Sequence, residues 1–373
     1  MTAGGGAAPA IPAGIQSLDD YERHAESRVA EPSWRHIQSG SGRELTLAAN
    51  RRAYDRIGLL PRVLADVRGG STAIELLGAR QETPILLAPV AYQKLAHPDG
   101  ELATVSAATA LGVPMILSTL SSISLEEVAS AAADAAREVG QPPVPLWFQL
   151  YLQESREHSL GLVRRAEAAG YGVIVVTVDA ALKRAGFVLP PGVDAANLRG
   201  LAAGQQRAVP GGKILFGTPL VESAPRWADI AWLRSQTRLP IVIKGILAAD
   251  DARLAVDHGM DAIVVSNHGG RVLDGMPAAL DVMPALVEAV ADSATPLLLD
   301  GGIRSGVDVA KALASGAAAV LIGRPQYHAL AVAGMVGVAH MLHILRAEFE
   351  LALAQLGCSS PAELGARHLT RHR

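Results

Sequence analysis

The chain has 373 residues, of which half are hydrophobic, 18% are charged and 37 are glycine, the balance of a large α/β core whose strands are buried on both faces. A formal net charge of -3 gives no basic field for holding a polyanion and argues against nucleic acid as a partner. The only cysteine, Cys358, excludes internal disulfides and multi-cysteine metal sites; it reads as a surface or half-buried residue, since no histidine motif surrounds it.

The opening stretch MTAGGGAAPAIPAG has neither the positive n-region nor the sustained apolar region of a signal peptide. Residues 1–16 are therefore expected to be a flexible tail, with residues 17–373 forming one domain. No stretch reaches the roughly 18 consecutive apolar residues of a membrane span, so a cytoplasmic protein without a membrane partner is expected. The remainder of the first 80 residues reads as a cap of helices and short strands.

Eight short apolar runs follow: PILLAPV from Pro84, PMILST from Pro114, PLWFQLY from Pro145, GVIVVTVD from Gly172, PIVIKGI from Pro240, AIVVSN from Ala262, PLLLDG from Pro296 and AVLIGR from Ala319. Each is too short for a helix, lacks polar alternation and ends in polar or glycine residues, as a strand covered on both faces does. Between them lie segments with apolar residues at helical spacing. One of these, from Ser124 with Glu127 three residues on, has a capping-box start. Eight alternating β and α elements predict a (β/α)8 TIM barrel with strands from about residue 84 to 324. The long connection after the fourth strand, rich in Gly, Pro and Ala before a helix around Trp227 to Thr237, reads as a lid over the barrel mouth. A final helix, GMVGVAHMLHILRAEFELALAQLG, would close the ring.

Catalytic groups in such a barrel sit at the carboxyl ends of the strands. There the sequence places Tyr151, Asp179, Lys244, Ser266, Asn267, His268, Arg271, Asp300, Arg304, Gly323 and Arg324. Lys244 lies within an apolar strand, where burial of its ammonium demands an anionic partner; a cross-barrel carboxylate would serve, but five other strands deliver polar groups to the same mouth, which favours a cofactor as the partner. In SNHGGRVLD, His268 offers a proton acceptor and Arg271 a planar fork for a carboxylate. DGGIRSG and GRP end the seventh and eighth strands, where loops of this fold frequently bind phosphate. No metal site is expected.

The ordered set LAPVAYQKLAHPDGE, WFQLY, TVD, KGI, SNHGGRVLD, DGGIRSG and GRP resembles the FMN-dependent 2-hydroxy acid oxidases and dehydrogenases, from about Tyr21 to Cys358. The resemblance implies FMN as cofactor and a small (S)-2-hydroxy acid and O2 as substrates. It makes His268 the base, Arg271 the carboxylate anchor, Asp179 the partner of His268, Tyr151 a hydrogen-bond donor to the substrate, and Lys244 the cation facing the flavin. Pro89, Val90, Ala91, Ser118, Gln149, Thr177 and Ser266 would line the flavin. Asp300, Gly301, Gly302, Arg304, Gly323 and Arg324 would hold the ribityl chain and phosphate. A homo-oligomer, tetramer or octamer, is also implied. Two departures bear on the substrate: His36 stands where many members have tyrosine, and the shortened ALKRAGFVLPP leaves Arg184 as the arginine of the loop after the fourth strand. Leu120 and His36 would then face the variable side chain of the substrate. A dehydrogenase passing electrons to a quinone or cytochrome, and an inactive flavin-binding barrel, are the alternatives.

Overall fold

The computed structural model describes residues 10–142, 144–182, 187–200 and 214–371. All eight expected runs form strands: Ile85–Leu87, Ile116–Ser118, Trp147–Leu150, Val173–Thr177, Ile241–Ile246, Ala262–Val265, Leu297–Asp300 and Ala319–Ile322. Consecutive strands from the second to the eighth pair in parallel, and the first pairs with the eighth. A parallel bridge between Leu87 and Met115 joins the first to the second and closes the barrel.

Buried apolar residues divide into two clusters, which explains why the runs show no polar alternation. Residues such as Ile85, Leu87, Phe148, Ile174, Val176 and Ile243 pack outward against the helices. Their neighbours Leu86, Ile116, Trp147, Val173, Val175, Val242, Val264, Leu298 and Leu321 fill the interior. Successive side chains of a strand point to opposite faces, and here both faces are dry. Leu76, from the hairpin of Ile74–Leu76 with Ala79–Gln81, joins the inner cluster and plugs the floor.

The expected cap is present as helices Leu18–Glu26, Glu31–Gln38 and Leu45–Asp55 and short strand Ile57–Leu59, which pairs with Leu369–Arg371 near the carboxyl end of the chain. Of the tail expected over residues 1–16, residues 1–9 lie outside the described residues, and Ile15 is buried in the core. Ser124 and Glu127 make the reciprocal cap read from their spacing. The helix of the long connection spans Trp227–Gln236. Much of the lid reading itself falls on residues 183–186 and 201–213, outside the described residues.

Two sequence readings need correction. Cys358 is buried, not at the surface, with its sulfur 3.5 Å from His368 Nε2. The final helix begins earlier than expected, at Arg324, and runs to Gln355 with a break at Ala333 and Gly334, where φ reaches -149° and 56°. It is long and apolar enough to cross a membrane by length and composition, but 67% of its most apolar window is buried inside the protein. The break creates a short helix, Arg324 to Val332, whose amino end faces the barrel mouth, the geometry that favours an anion.

Candidate functional site

The inward columns of the strands change character at their carboxyl ends. Two residues beyond the apolar inner layer, Ile116 gives way to Ser118, Trp147 to Gln149, Val175 to Thr177, Val242 to Lys244, Val264 to Ser266 and Leu298 to Asp300. All six polar side chains are buried. Ser118 Oγ donates to Gln149 Oε1 at 3.2 Å, while Gln149 Nε2, Thr177 Oγ1 and Asp300 Oδ1 are buried without a partner among the described residues. Leaving such atoms unpaired costs about 1–3 kcal/mol each, so a ring of them marks a place built for something polar.

Lys244 is the one cation in that ring. Its ammonium meets Asp300 Oδ2 at 2.8 Å and donates to Ser266 Oγ at 2.8 Å. Burial opposes its charge, yet the carboxylates of Asp300 and Asp179 outweigh burial and raise its pKa. A cross-barrel carboxylate, and not only the cofactor favoured from sequence, is therefore the partner of this ammonium. A bulge between Lys244 and Ile246 breaks the register here, with Gly245 at φ 111°. A β-carbon on Gly245 would stand 2.6 Å from that of Asp179, so glycine is what lets the fourth and fifth strands deliver Asp179 and Lys244 side by side.

Asp179 Oδ1 is 2.9 Å from His268 Nδ1. Burial alone would raise the carboxyl pKa, but the hydrogen bond and charge of His268, with the charge of Lys244, hold it below the usual carboxylate range. His268 has a left-handed backbone, φ 58°, and its N–H donates to Ser266 Oγ at 3.0 Å. With Nδ1–H directed at the carboxylate, Nε2 is the accepting nitrogen, and it lies 3.5 Å from the Tyr151 hydroxyl. Burial, then the charge of Asp179, keeps that hydroxyl protonated by raising its pKa.

Three mostly buried arginines surround the neighbouring space. Arg271 Nη1 donates to the carbonyls of His36, Ile37 and Ser39 at 2.8, 3.1 and 3.0 Å. Arg324 donates to Ile37, Gly269 and Ser39 at 3.0, 3.0 and 3.1 Å. Both are held by the carboxyl end of helix Glu31–Gln38, the negative end of its dipole. Among the described residues neither meets a carboxylate within 4.0 Å, and burial with the charges of Arg271 and Arg304 depresses Arg324 to about 9. Arg304 reaches Glu22 at 3.6 Å. Gly301 and Gly302 turn with φ 93° and 84°, and Gly323 caps the short helix. Cations short of counter-charge beside glycine turns and a helix amino end suit an anion.

The other expected residues fall around this core. Pro89 and Val90 are part-buried in the loop after the first strand, and the Ala91 carbonyl accepts from Tyr327 at 3.3 Å. Leu120 N–H donates to Ser118 Oγ at 3.1 Å. His36 stacks on Phe187, ring centroids 4.2 Å apart and 14° from parallel. Arg184 lies outside the described residues. Sequence reading missed Gly245, whose signal was a glycine inside a strand. It also missed Asn50, whose amide pairs with Asn267 from a helix with no chemical motif.

A family model described as FMN-dependent dehydrogenase matches residues 25–371. An L-lactate oxidase of Alicycliphilus denitrificans is 47% identical over 369 residues, covering 96% of this chain and 98% of its own. A 4-hydroxymandelate oxidase of Amycolatopsis orientalis is 44% identical, covering 92% and 95%, and the glycolate oxidase of Spinacia oleracea is 41% identical, covering 95% of each. Among solved structures, a mandelate oxidase with (S)-2-phenylpropionate superposes with a TM-score of 0.82 at 42% identity, over 96% of this chain and 98% of the other.

Proposed function

From the premise that the chain belongs to the FMN-dependent dehydrogenase family, we propose that it oxidises an (S)-2-hydroxy acid to the 2-keto acid, with O2 taken to H2O2. The observation that carries this reading is the His268 imidazole. It is held by Asp179 on one nitrogen and faces the Tyr151 hydroxyl with the other, with the Arg271 guanidinium on the same loop. The unpartnered atoms of Gln149, Thr177 and Asp300 fit a flavin, whose ring edge and ribityl chain carry both donors and acceptors.

When bound, FMN supplies the acceptor of the electron pair that leaves the 2-carbon. The residues of the chain do the rest. Arg271, with one nitrogen tied to three carbonyls, presents its remaining N–H groups to the substrate carboxylate. Tyr151 hydrogen-bonds the substrate oxygen. His268 Nε2 takes the proton, and Asp179 stabilises the imidazolium that results. Lys244 would set its buried positive charge against the cofactor and so favour the negatively charged reduced form. Gly301, Gly302, Arg304, Gly323 and Arg324 would hold the phosphate, and Asp300 the ribityl chain. The stacked His36 and Phe187 would form the wall that ranks substrates by what lies beyond the 2-carbon. A cytoplasmic homo-oligomer, tetramer or octamer, completes the proposal.

Purified protein should be reduced without oxygen by one or more of glycolate, L-lactate, longer aliphatic hydroxy acids and (S)-mandelate, and should form one peroxide per keto acid in air. Bound flavin that none of these bleaches would overturn the reading. Arg271→Lys keeps the charge and loses the fork, so its loss of affinity should be similar for every acid accepted, whereas Phe187→Ala should reorder them.

A further inference from the structure

Helix Leu45–Asp55 carries no motif of the site, yet it touches two of the site's loops. Asn50, 2% exposed, exchanges two hydrogen bonds with Asn267: its Nδ2 donates to Asn267 Oδ1 at 2.9 Å and its Oδ1 accepts from Asn267 Nδ2 at 2.8 Å. Asn267 immediately precedes His268. Its Oδ1 also accepts from Gly270 N–H at 3.1 Å and its Nδ2 donates to the Pro277 carbonyl at 2.9 Å. All the polar capacity of one amide is thus spent on holding the turn in which His268 takes its left-handed φ of 58°. A conformation of that kind persists only where its surroundings impose it.

The same helix presses on the glycine turn after the seventh strand. A β-carbon on Gly302 would stand 2.4 Å from the Asn50 carbonyl oxygen, and one on Gly301 would stand 3.4 Å from the Asn50 amide nitrogen. Arg51, the next residue, donates from Nη1 to the Gly302 carbonyl and to Asp308 Oδ2 at 2.7 Å. From the other side, Asp274, a few residues beyond His268, accepts from Arg43 N–H at 2.7 Å and Thr46 N–H at 3.0 Å. It caps a helix whose own N-cap residue, Glu44, makes no side-chain cap. The helix is therefore bolted to the loop of the base and to the turn expected to hold the cofactor's phosphate.

We propose that Asn50 is a positioning residue that couples these two loops, so that the turn which holds the cofactor also fixes the orientation of His268. The proposal rests on the FMN reading above. It predicts two effects from a residue that touches neither substrate nor the reacting atoms. Asn50→Leu keeps the volume and loses both bonds; Asn50→Asp keeps the bond accepted from Asn267 and loses the one donated.

The test uses apoprotein titrated with FMN, followed by flavin fluorescence, and then anaerobic reduction at saturating FMN and saturating substrate. The leucine variant should bind FMN several-fold more weakly. At saturation it should still be reduced roughly 10²-fold more slowly, the scale of a catalytic group displaced by about an ångström, while the substrate dissociation constant, set by Arg271, stays near that of the wild type. The aspartate variant should lie between the two. If leucine at this position prevents folding, the aspartate variant alone decides. Normal reduction at saturating FMN would make Asn50 a structural residue only, and slowed reduction with unchanged FMN affinity would remove the coupling; either overturns the proposal. A wild-type protein that binds no FMN would sink the functional reading instead, a separate outcome read in the first titration.

Discussion

The mouth and the floor of the barrel are built from the same eight strands and obey opposite rules. On the floor, inward positions are Trp147, Val173, Val242, Ala262 and their neighbours, closed by Leu76 of the hairpin, and the side chains of this cluster are apolar. One layer up, the same columns carry Lys244, Asp300, Gln149 and Thr177, with buried atoms left unpaired. The floor spends apolar area on stability, while the mouth gives up stability to hold charges and lone pairs in fixed directions. A substitution on the floor should therefore cost folding and spare chemistry, and one at the mouth should do the reverse.

The largest effect expected at the mouth comes from the smallest change. Gly245→Ala adds one methyl at φ 111°, 2.6 Å from the Asp179 β-carbon and 3.0 Å from its backbone nitrogen. Asp179 must move, and His268 loses the partner that directs its accepting nitrogen. Flavin reduction should fall roughly 10²-fold to 10⁴-fold, the range of a lost proton acceptor, with FMN retained; stopped-flow anaerobic reduction measures it. A loss below tenfold would mean that the bulge is not what seats the pair. Lys244→Met is the next in size. Removing the buried cation should slow reduction about 10²-fold to 10³-fold and weaken FMN binding. It also leaves the buried Asp300 without its 2.8 Å partner, so this variant departs from the rule and thermal unfolding will register it as well.

The floor supplies the contrast. Trp147 is 2% exposed and sits in the inner cluster, so Trp147→Ala should cost about 3–5 kcal/mol of stability, read by urea unfolding. The folded fraction should keep its reduction rate within a few-fold. Loss of rate without loss of stability would show that floor and mouth are not separable in this barrel.

How much of this was legible in the sequence follows the same division. The eight strands could be read because a strand buried on both faces leaves an unbroken apolar run, as in GVIVVTVD and PIVIKGI, and because the change to polar residues falls at the end of each run. What could not be read depends on contacts between distant segments. Asn50 looks like an unremarkable helix residue until Asn267 is brought against it from 217 positions away. The break at Ala333 and Gly334 was hidden inside a continuous apolar pattern, and burial of Cys358 depends on the carboxyl end folding back. The polar groups gathered at the mouth favour a cofactor as the partner of Lys244, yet in this structure Asp300, from a strand 56 positions on, takes the bond.

The smallest effect contrasts two buried carboxylates. Burial would raise Asp179, but the hydrogen bond and charge of His268 and the charge of Lys244 bring it below the ordinary range. Glu101 braces the loops after the first and second strands by accepting from Gln93 and Ser122 N–H groups at 3.0 and 2.8 Å. For it burial wins, and its pKa is raised. The linkage signs are therefore opposite. Asp179 contributes stability that is fully present above its unfolded value of about 3.9 and is lost as pH falls through its lower folded value. Glu101 binds its proton more tightly when folded, so stability declines as pH rises from its unfolded value of about 4.3 to its higher folded value and is level beyond. Unfolding free energies across a pH series should show both slopes. Asp179→Asn should flatten the acid limb alone, and Glu101→Gln the limb above about 4.3. If Glu101→Gln changed only the acid limb below that value, the carboxyl would be held by its two N–H donors more strongly than burial opposes it, and the brace would belong with the charged groups of the mouth.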